Sequence, residues 1–251
     1  MNEPALSRGD TLEFTIDRMA HGGLGIGQAP DGRVVFVPRA FPGDTVRATA
    51  SKVKKSFIKG DLDSIVTAGR LRVPSRCPAA ELGAGCCDFA ELDPTAETDI
   101  KMEVLREQLR RSGIEGLESL TIEQHDLAPV RGWRTRVRLG VDKQGRAGLR
   151  KYRSNELVTS VGCTQLADGL IDGLVGDGAR RFTPGAEIVA VLDGAGNRHV
   201  VASLKAPRGR RVETIREVIE GSGTVVENVN GREFSFPATA FWQAHSAAPE
   251  L

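Results

Sequence analysis

Residues 9–20, GDTLEFTIDRMA, alternate apolar and polar side chains, the period-two pattern of a strand with one buried face. The glycine-rich HGGLGIGQAPDGR that follows predicts a turn. From Arg33 to Val66 the same alternation supplies three further short strands, divided by Pro42-Gly43-Asp44 and by a lysine run. Strands this closely spaced predict a small closed β-barrel over residues 9 to about 70. Glycines at 22, 23, 25 and 27 permit the positive φ and close backbone approach a barrel corner needs. They do not read as a GxGxxG phosphate loop, because no helical pattern follows.

Beyond Pro74 the period changes. Asp93 and Pro94 form an N-cap and first-turn pair, and Ile100, Val104, Leu105 and Leu109 recur at helical spacing until Gly113, which predicts one helix over 94–112. Alternation returns in TRVRLGVD and RAGLRKY, a hairpin around DKQG, with Arg134, Arg136 and Arg138 on one face and Val137, Leu139 and Val141 on the other. Further strands are expected at EIVAVLD, RHVVASLK, GTVVENV and REFSFP, and Thr164 is a candidate cap for a short helix. The expected fold is β-rich α+β: an N-terminal barrel over 1–72, then a mixed, mainly antiparallel β domain over 73–251 that carries a cysteine cluster.

Composition agrees with two domains of this kind. The chain has 251 residues, 40% hydrophobic and 27% charged, with 29 glycines and a single tyrosine, which favours short strands and tight turns. The start, MNEPALSRGD, lacks the basic and apolar regions of a signal peptide, and no run of about 18 apolar residues occurs. A cytoplasmic monomer with no membrane partner is expected. Net charge is only +1, so no global bias toward nucleic acid exists. Local runs are basic, however: Lys52, Lys54, Lys55 and Lys59; Arg131, Arg134, Arg136 and Arg138; Arg146, Arg150, Lys151 and Arg153; Lys205, Arg208, Arg210 and Arg211. Each is either a solvated face or a set of phosphate contacts.

Three of the four cysteines, Cys77, Cys86 and Cys87, fall within CPAAELGAGCC, and Cys163 stands alone downstream. In a reducing compartment such a group serves metal or reactive chemistry more readily than disulfides. Four thiolates suit a tetrahedral zinc or an iron–sulfur cluster; paired CxxC knuckles are absent, and three near ligands with one far favour iron–sulfur. Ordinary buried thiols are the bland alternative.

Gly9-Asp10, HGGLGIG at 21–27 and VVFVPRAFPGDTV at 34–46 resemble the TRAM domain, an OB-like barrel found on RNA-modifying enzymes. Cys77-Pro78, GAGCCDF at 83–89, the basic hairpin and Val161-Gly162-Cys163 together resemble the RNA (uracil-5-)-methyltransferase family, ribosomal-RNA type. That resemblance implies a 4Fe-4S cluster on Cys77, Cys87 and Cys163, with zinc as the alternative. The family's second ligand falls at Ala84, and this chain has Cys86 instead. It also implies RNA contacts at Lys52, Lys54, Lys55, Lys59, Arg134, Arg136 and Arg138, with ribosomal RNA favoured over transfer RNA.

The final FPATAFWQAHSAAPEL is similar to the family's segment opening the methyltransferase domain, with Phe241, Trp242 and Gln243 in place and His245 where asparagine is usual. The resemblance places Gln243 in the cleft between S-adenosylmethionine and the target base, and residues 238–251 at the start of the catalytic domain. Neither the cofactor-binding glycine motif nor the nucleophilic cysteine of the family follows, so no catalytic residue is assigned. The expectation is the RNA-recognition portion of a methyltransferase without its catalytic domain, inactive alone. Its helix 94–112 would then pack on the absent part, leaving its apolar stripe underpacked. The other reading is a stand-alone RNA-binding protein with a structural iron–sulfur or zinc site and no catalysis.

Overall fold

The computed structural model describes residues 6–208 and 211–251; Arg210 of the fourth basic run lies outside them. The chain forms two compact units, one of residues 1–75 with 88–126 and the other of 76–87 with 127–251. The division expected at residue 72 is therefore not a single cut. The chain leaves the first unit to deliver the segment holding Cys77, Cys86 and Cys87, and then returns.

In the first unit, strands β1 (Thr11–Met19), β2 (Leu24–Gln28), β3 (Val34–Pro38), β4 (Thr45–Val53) and β5 (Phe57–Thr67) close into a barrel in the order β1-β2-β3-β5-β4. All pairings are antiparallel except β3 with β5. Leu12, Phe14, Ile16, Val35, Val37, Val46, Ala48 and Ile58 fill the interior, the inward half of the alternation.

The structure adds a strand where the sequence predicted only a turn. Glycines in β2 hide its alternation, yet they are what the strand needs. A Cβ on Gly25 would stand 2.4 Å from the Ala40 carbonyl oxygen, and one on Gly27 would stand 2.4 Å from that of Thr15. Only glycine lets the neighbouring chain approach this closely.

A buried ion pair pins the end of the barrel. Asp44, fully buried, accepts from the backbone N–H of Phe41 at 2.7 Å and of Gly69 at 2.9 Å. The Arg72 guanidinium donates to both its oxygens, at 3.0 Å from Nε and 2.8 Å from Nη2. Arg72 also lies over the Phe41 ring, and Glu91 takes a second cation, Arg39. Every lone pair of the buried carboxylate thus has a donor, which is the condition under which a buried charge is tolerated.

Asp93 caps a single 3₁₀ turn at Pro94–Ala96, its Oδ1 accepting from Thr95 N at 2.9 Å, and helix α2 follows over Glu97–Arg111. The expected underpacking is corrected in part. Ile100 is buried against Met19, Phe41 and Leu92 of its own unit, with Val104 packed beside it, whereas Leu105 is 43% exposed. The apolar stripe is wider than the surface that receives it, so one edge is covered and the other faces solvent.

The second unit is built on a six-stranded sheet of order β11-β10-β9-β6-β7-β8. Its strands are β6 (Arg136–Val141), β7 (Ala147–Arg150), β8 (Leu157–Val158), β9 (Glu187–Leu192), β10 (Arg198–Arg208) and β11 (Arg211–Glu220). A hairpin of β12 (Thr224–Val229) and β13 (Arg232–Pro237) turns at Asn230-Gly231, both at positive φ. Val225 and Ala238 of this region join Val189, Val191 and Val201 in a small core.

Strand β11 was not legible. Val212, Ile215, Val218 and Ile219 recur at near-helical spacing among charges, and residues 213–220 are exposed on both faces apart from half-buried Ile219, so no buried face forces alternation. Around Cys163 the expected short helix is instead a succession of turns. The Thr164 hydroxyl does not cap it; Oγ1 donates to the Arg76 carbonyl at 2.9 Å. No helix among the described residues is long and apolar enough to cross a membrane.

Candidate metal centre and nucleic-acid interface

Cys77 takes an extended backbone (φ −136°) as N-cap of the one-turn helix α1 (Pro78–Glu81), with Pro78 at the first helical position where its missing N–H costs nothing. Gly83, at φ +90°, ends the turn. The next residues run alongside the chain that leaves β7: Gly85 N donates to Arg150 O and Tyr152 N to Gly83 O, each at 3.0 Å. A Cβ at Gly85 would stand 3.1 Å from Tyr152 Cα, so glycine permits this approach. That pairing commits Ala84 to a bridge with Lys151 and delivers the following pair, Cys86 and Cys87, to the site. From the other direction, Thr164 binds the carbonyl of the residue preceding Cys77, which draws Cys163 in.

The four Sγ atoms lie within 4.8 Å of one another, and Cys87 and Cys163 are 3.2 Å apart. Cys77, Cys87 and Cys163 are buried, Cys86 is half-buried, and no disulfide joins them. The thiols cannot ionise independently at this distance. Hydrogen bonds from Cys163, Cys86 and Cys87 hold Cys77 far below the ordinary thiol range. Cys86 and Cys87 are pushed far up, first by their hydrogen bonds to Cys163 and Cys77 and then by burial. A thiophilic cation would remove this conflict by supplying the countercharge that lets all four be thiolates. The donor set therefore fits a metal centre. Four thiolates at about 2.3 Å from one zinc stand about 3.8 Å apart by tetrahedral geometry, inside the 4.8 Å within which these four sulfurs lie. A 4Fe-4S core seats each thiolate on a different iron and needs the sulfurs further apart.

The basic residues divide into two classes. Lys52 is exposed at the end of β4, Lys54 and Lys55 are exposed on the β4–β5 turn, and Lys59 is half-exposed on β5, in register with Lys52. Arg134, just before β6, and Arg136 and Arg138 of β6 are largely built into the fold. Arg134 lies over the Trp133 ring, with 4.7 Å from its guanidinium carbon to the ring centre. Arg138 pairs with Glu187 at 2.5 Å and donates to Thr239 O at 3.1 Å, while Arg136 donates to Ala240 O at 3.2 Å. Burial lowers the Arg136 pKa, opposed by the Glu227 carboxylate, and its Nε and Nη2 are buried without a hydrogen-bond partner among the described residues. Of the three, only Arg138 is exposed.

In the last segment Gln243 is exposed and Phe241 is 85% exposed, whereas Trp242 stacks on Phe236 at 4.9 Å. His245 stacks on Trp133 at 5.3 Å and accepts from Ala247 N at 3.1 Å, which gives the residue in the asparagine position a structural role. Sequence reasoning missed a further polar trio. Buried His199 approaches Asp193 at 3.2 Å and Ser222 at 3.5 Å, resembling a catalytic triad. Ser222 already donates to Thr224 O at 2.9 Å and accepts from Thr224 N, and Asp193 accepts from Asn197 N at 2.7 Å, so the trio staples two turns.

Residues 6–62 match the TRAM domain model. A Corynebacterium glutamicum protein described as an uncharacterized RNA methyltransferase is 55% identical over 245 residues, covering 97% of this chain. By sequence, the chain carries a TRAM domain and is similar along nearly all of its length to proteins named RNA methyltransferases. A Halomonas elongata 23S rRNA (uracil(1939)-C(5))-methyltransferase is 36% identical over 165 residues, 63% of this chain and 33% of its own length. The fold is similar to that of Pyrococcus abyssi tRNA (uracil-54, C5)-methyltransferase, solved with S-adenosyl-L-homocysteine. The TM-score is 0.59 at 15% identity, covering 94% of this chain and 62% of that one. The chain spans 59% of the length of the Corynebacterium glutamicum relative. These comparisons do not support the stronger expectation that a catalytic domain is lacking.

Proposed function

We propose that this chain serves S-adenosylmethionine-dependent 5-methylation of uridine in RNA, with ribosomal RNA the favoured substrate, and that its two units supply RNA recognition. The observation that carries the reading is the pairing, in one chain, of a TRAM barrel with a four-cysteine centre, matched along 97% of its length by a relative named as an RNA methyltransferase. Lys52, Lys54, Lys55 and Lys59 would hold phosphates, since three of them are exposed and the fourth half-exposed on one stretch of the barrel. Arg138 would join them at the other unit, and Arg134 and Arg136 would act from within by holding the surface they are built into. S-adenosylmethionine, when bound, supplies the methyl group; exposed Gln243 would contact the cleft that receives it.

Cys77, Cys86, Cys87 and Cys163 would hold a 4Fe-4S cluster, with Cys86 replacing the ligand absent at Ala84. The spacing of the sulfurs favours a second reading, a single tetrahedral zinc. Metal analysis separates them: iron with acid-labile sulfide after anaerobic purification supports the cluster, and one colourless zinc per chain overturns it.

Deleting the gene in the source organism tests the function itself. One 5-methyluridine should vanish from the ribosomal RNA, as read by nucleoside mass spectrometry, and return on complementation. Unchanged 5-methyluridine in both ribosomal and transfer RNA sinks the proposal.

A further inference from the structure

The outer wall of the barrel carries one row of side chains that crosses all five strands. In register, Arg18 faces Ile26, Ile26 faces Phe36, Phe36 faces Lys59, and Lys59 faces Lys52. Paired residues project from the same side of a sheet, and fully buried Val35 and Val37 on either side of Phe36 put this row outside. Phe57, two residues before Lys59, meets Phe36 edge to face with ring centres 6.0 Å apart.

Helix α2 walls one side of this row. Val104, Glu107, Gln108 and Arg111 enclose with Phe36 and Phe57 a cavity of about 340 Å³. Glu107 holds the cations at its rim, 2.5 Å from Arg111 Nη2 and 3.9 Å from Arg18 Nε. The cavity thus has aromatic faces, an apolar wall, a carboxamide and a cationic border that continues along the strands to Lys59 and Lys52.

We propose that this cavity takes one unstacked base of single-stranded RNA, stacked against Phe36 or Phe57, with the flanking phosphates on Lys59, Lys52 and Arg18. The proposal rests on the RNA-binding reading above and names its subsite. Ring faces suit any base, and cations spaced along adjacent strands suit a backbone rather than a lone anion. An acidic peptide would use the same cations but gain nothing from the ring faces, and Glu107 would oppose it.

The test uses the whole chain, a short single-stranded oligouridylate carrying one thiouridine, and the same sequence as a duplex. Photo-crosslinks should map to peptides containing Phe36 or Phe57. The Phe36→Leu/Phe57→Leu variant, apolar and similar in volume, should lose roughly tenfold or more in affinity at unchanged salt slope. Phe57→Tyr should retain binding, and Lys59→Ala should reduce the salt slope by about one. Wild-type affinity in the double leucine variant, with crosslinks elsewhere, overturns the pocket and leaves the RNA reading standing. Duplex bound as tightly as single strand, or an acidic peptide competing as well as RNA, also overturns the pocket. Failure to bind any RNA overturns both.

Discussion

The barrel and the cysteine centre are held together in opposite ways. The barrel joins strands that follow one another closely, around an apolar core with a satisfied buried ion pair at one end. The cysteine centre gathers a one-turn helix, a loop paired to the chain after β7 and a run of turns, from positions as far apart as 77 and 163. Its sulfurs are mutually opposed without a cation. One region carries its stability in buried apolar area, and the other, on the proposed reading, would draw on a bound metal.

The largest expected effect tests that difference. Metal removal by a chelator under reducing conditions should open residues 76–87 and the turns around Cys163 to protease while protection of β1–β5 is unchanged. Structural tetrathiolate sites are worth about 10 kcal/mol or more in apparent binding free energy near neutral pH. Cys87→Ser should have the same effect as the chelator. Equal protection of both regions without metal would show that the second needs no ligand.

Asp44→Ala should strike only the barrel. It leaves the half-buried Arg72 guanidinium with Glu91 as its remaining carboxylate, at a cost of about 2–4 kcal/mol, read as a lower urea midpoint. Within the same unit, Ile100→Ala should cost about 2–4 kcal/mol because it empties a packed site, while Leu105→Ala should stay within about 0.5 kcal/mol. Equal costs would mean that α2 is covered on both edges.

The smallest effect concerns the exposed edge. The Arg198 guanidinium, 2.8 Å from Glu220, holds that carboxylate below the usual glutamate range. A carboxylate with a lowered folded-state pKa stabilises above its unfolded pKa, and that contribution is lost as pH falls through the folded value. Amide exchange in β11 should therefore quicken on acidification below about pH 4, by less than about 1 kcal/mol because the pair is partly solvated. Arg198→Gln should abolish that pH dependence; a persistent one would exclude this pair as its source.

Alternation in TLEFTIDRM and VVFVP was enough to read β1 and β3, and the Asp93-Pro94 cap with apolar residues at helical spacing was enough for α2. β2 was hidden because close packing required glycine at the very positions that would have shown a pattern. β11 was hidden because its side chains at 213–220 are exposed on both faces apart from Ile219, so nothing imposes alternation. The cysteines were legible as donors but not as a geometry. That Cys86 joins the other three depends on Ala84 pairing with Lys151, a contact made across 67 residues of chain.

By itself the sequence determined the kind of chemistry: soft thiolate donors, a cationic lysine turn and a barrel-forming alternation, all properties of residue type and local spacing. Tertiary structure alone decided which of these groups act together. It buried part of the β6 arginines while leaving the lysines in solvent, packed Ile100 of α2 beside barrel residues, and brought four sulfurs within 4.8 Å. The reason is that mutual exposure and distance depend on long-range register and packing, which neighbouring residues do not specify.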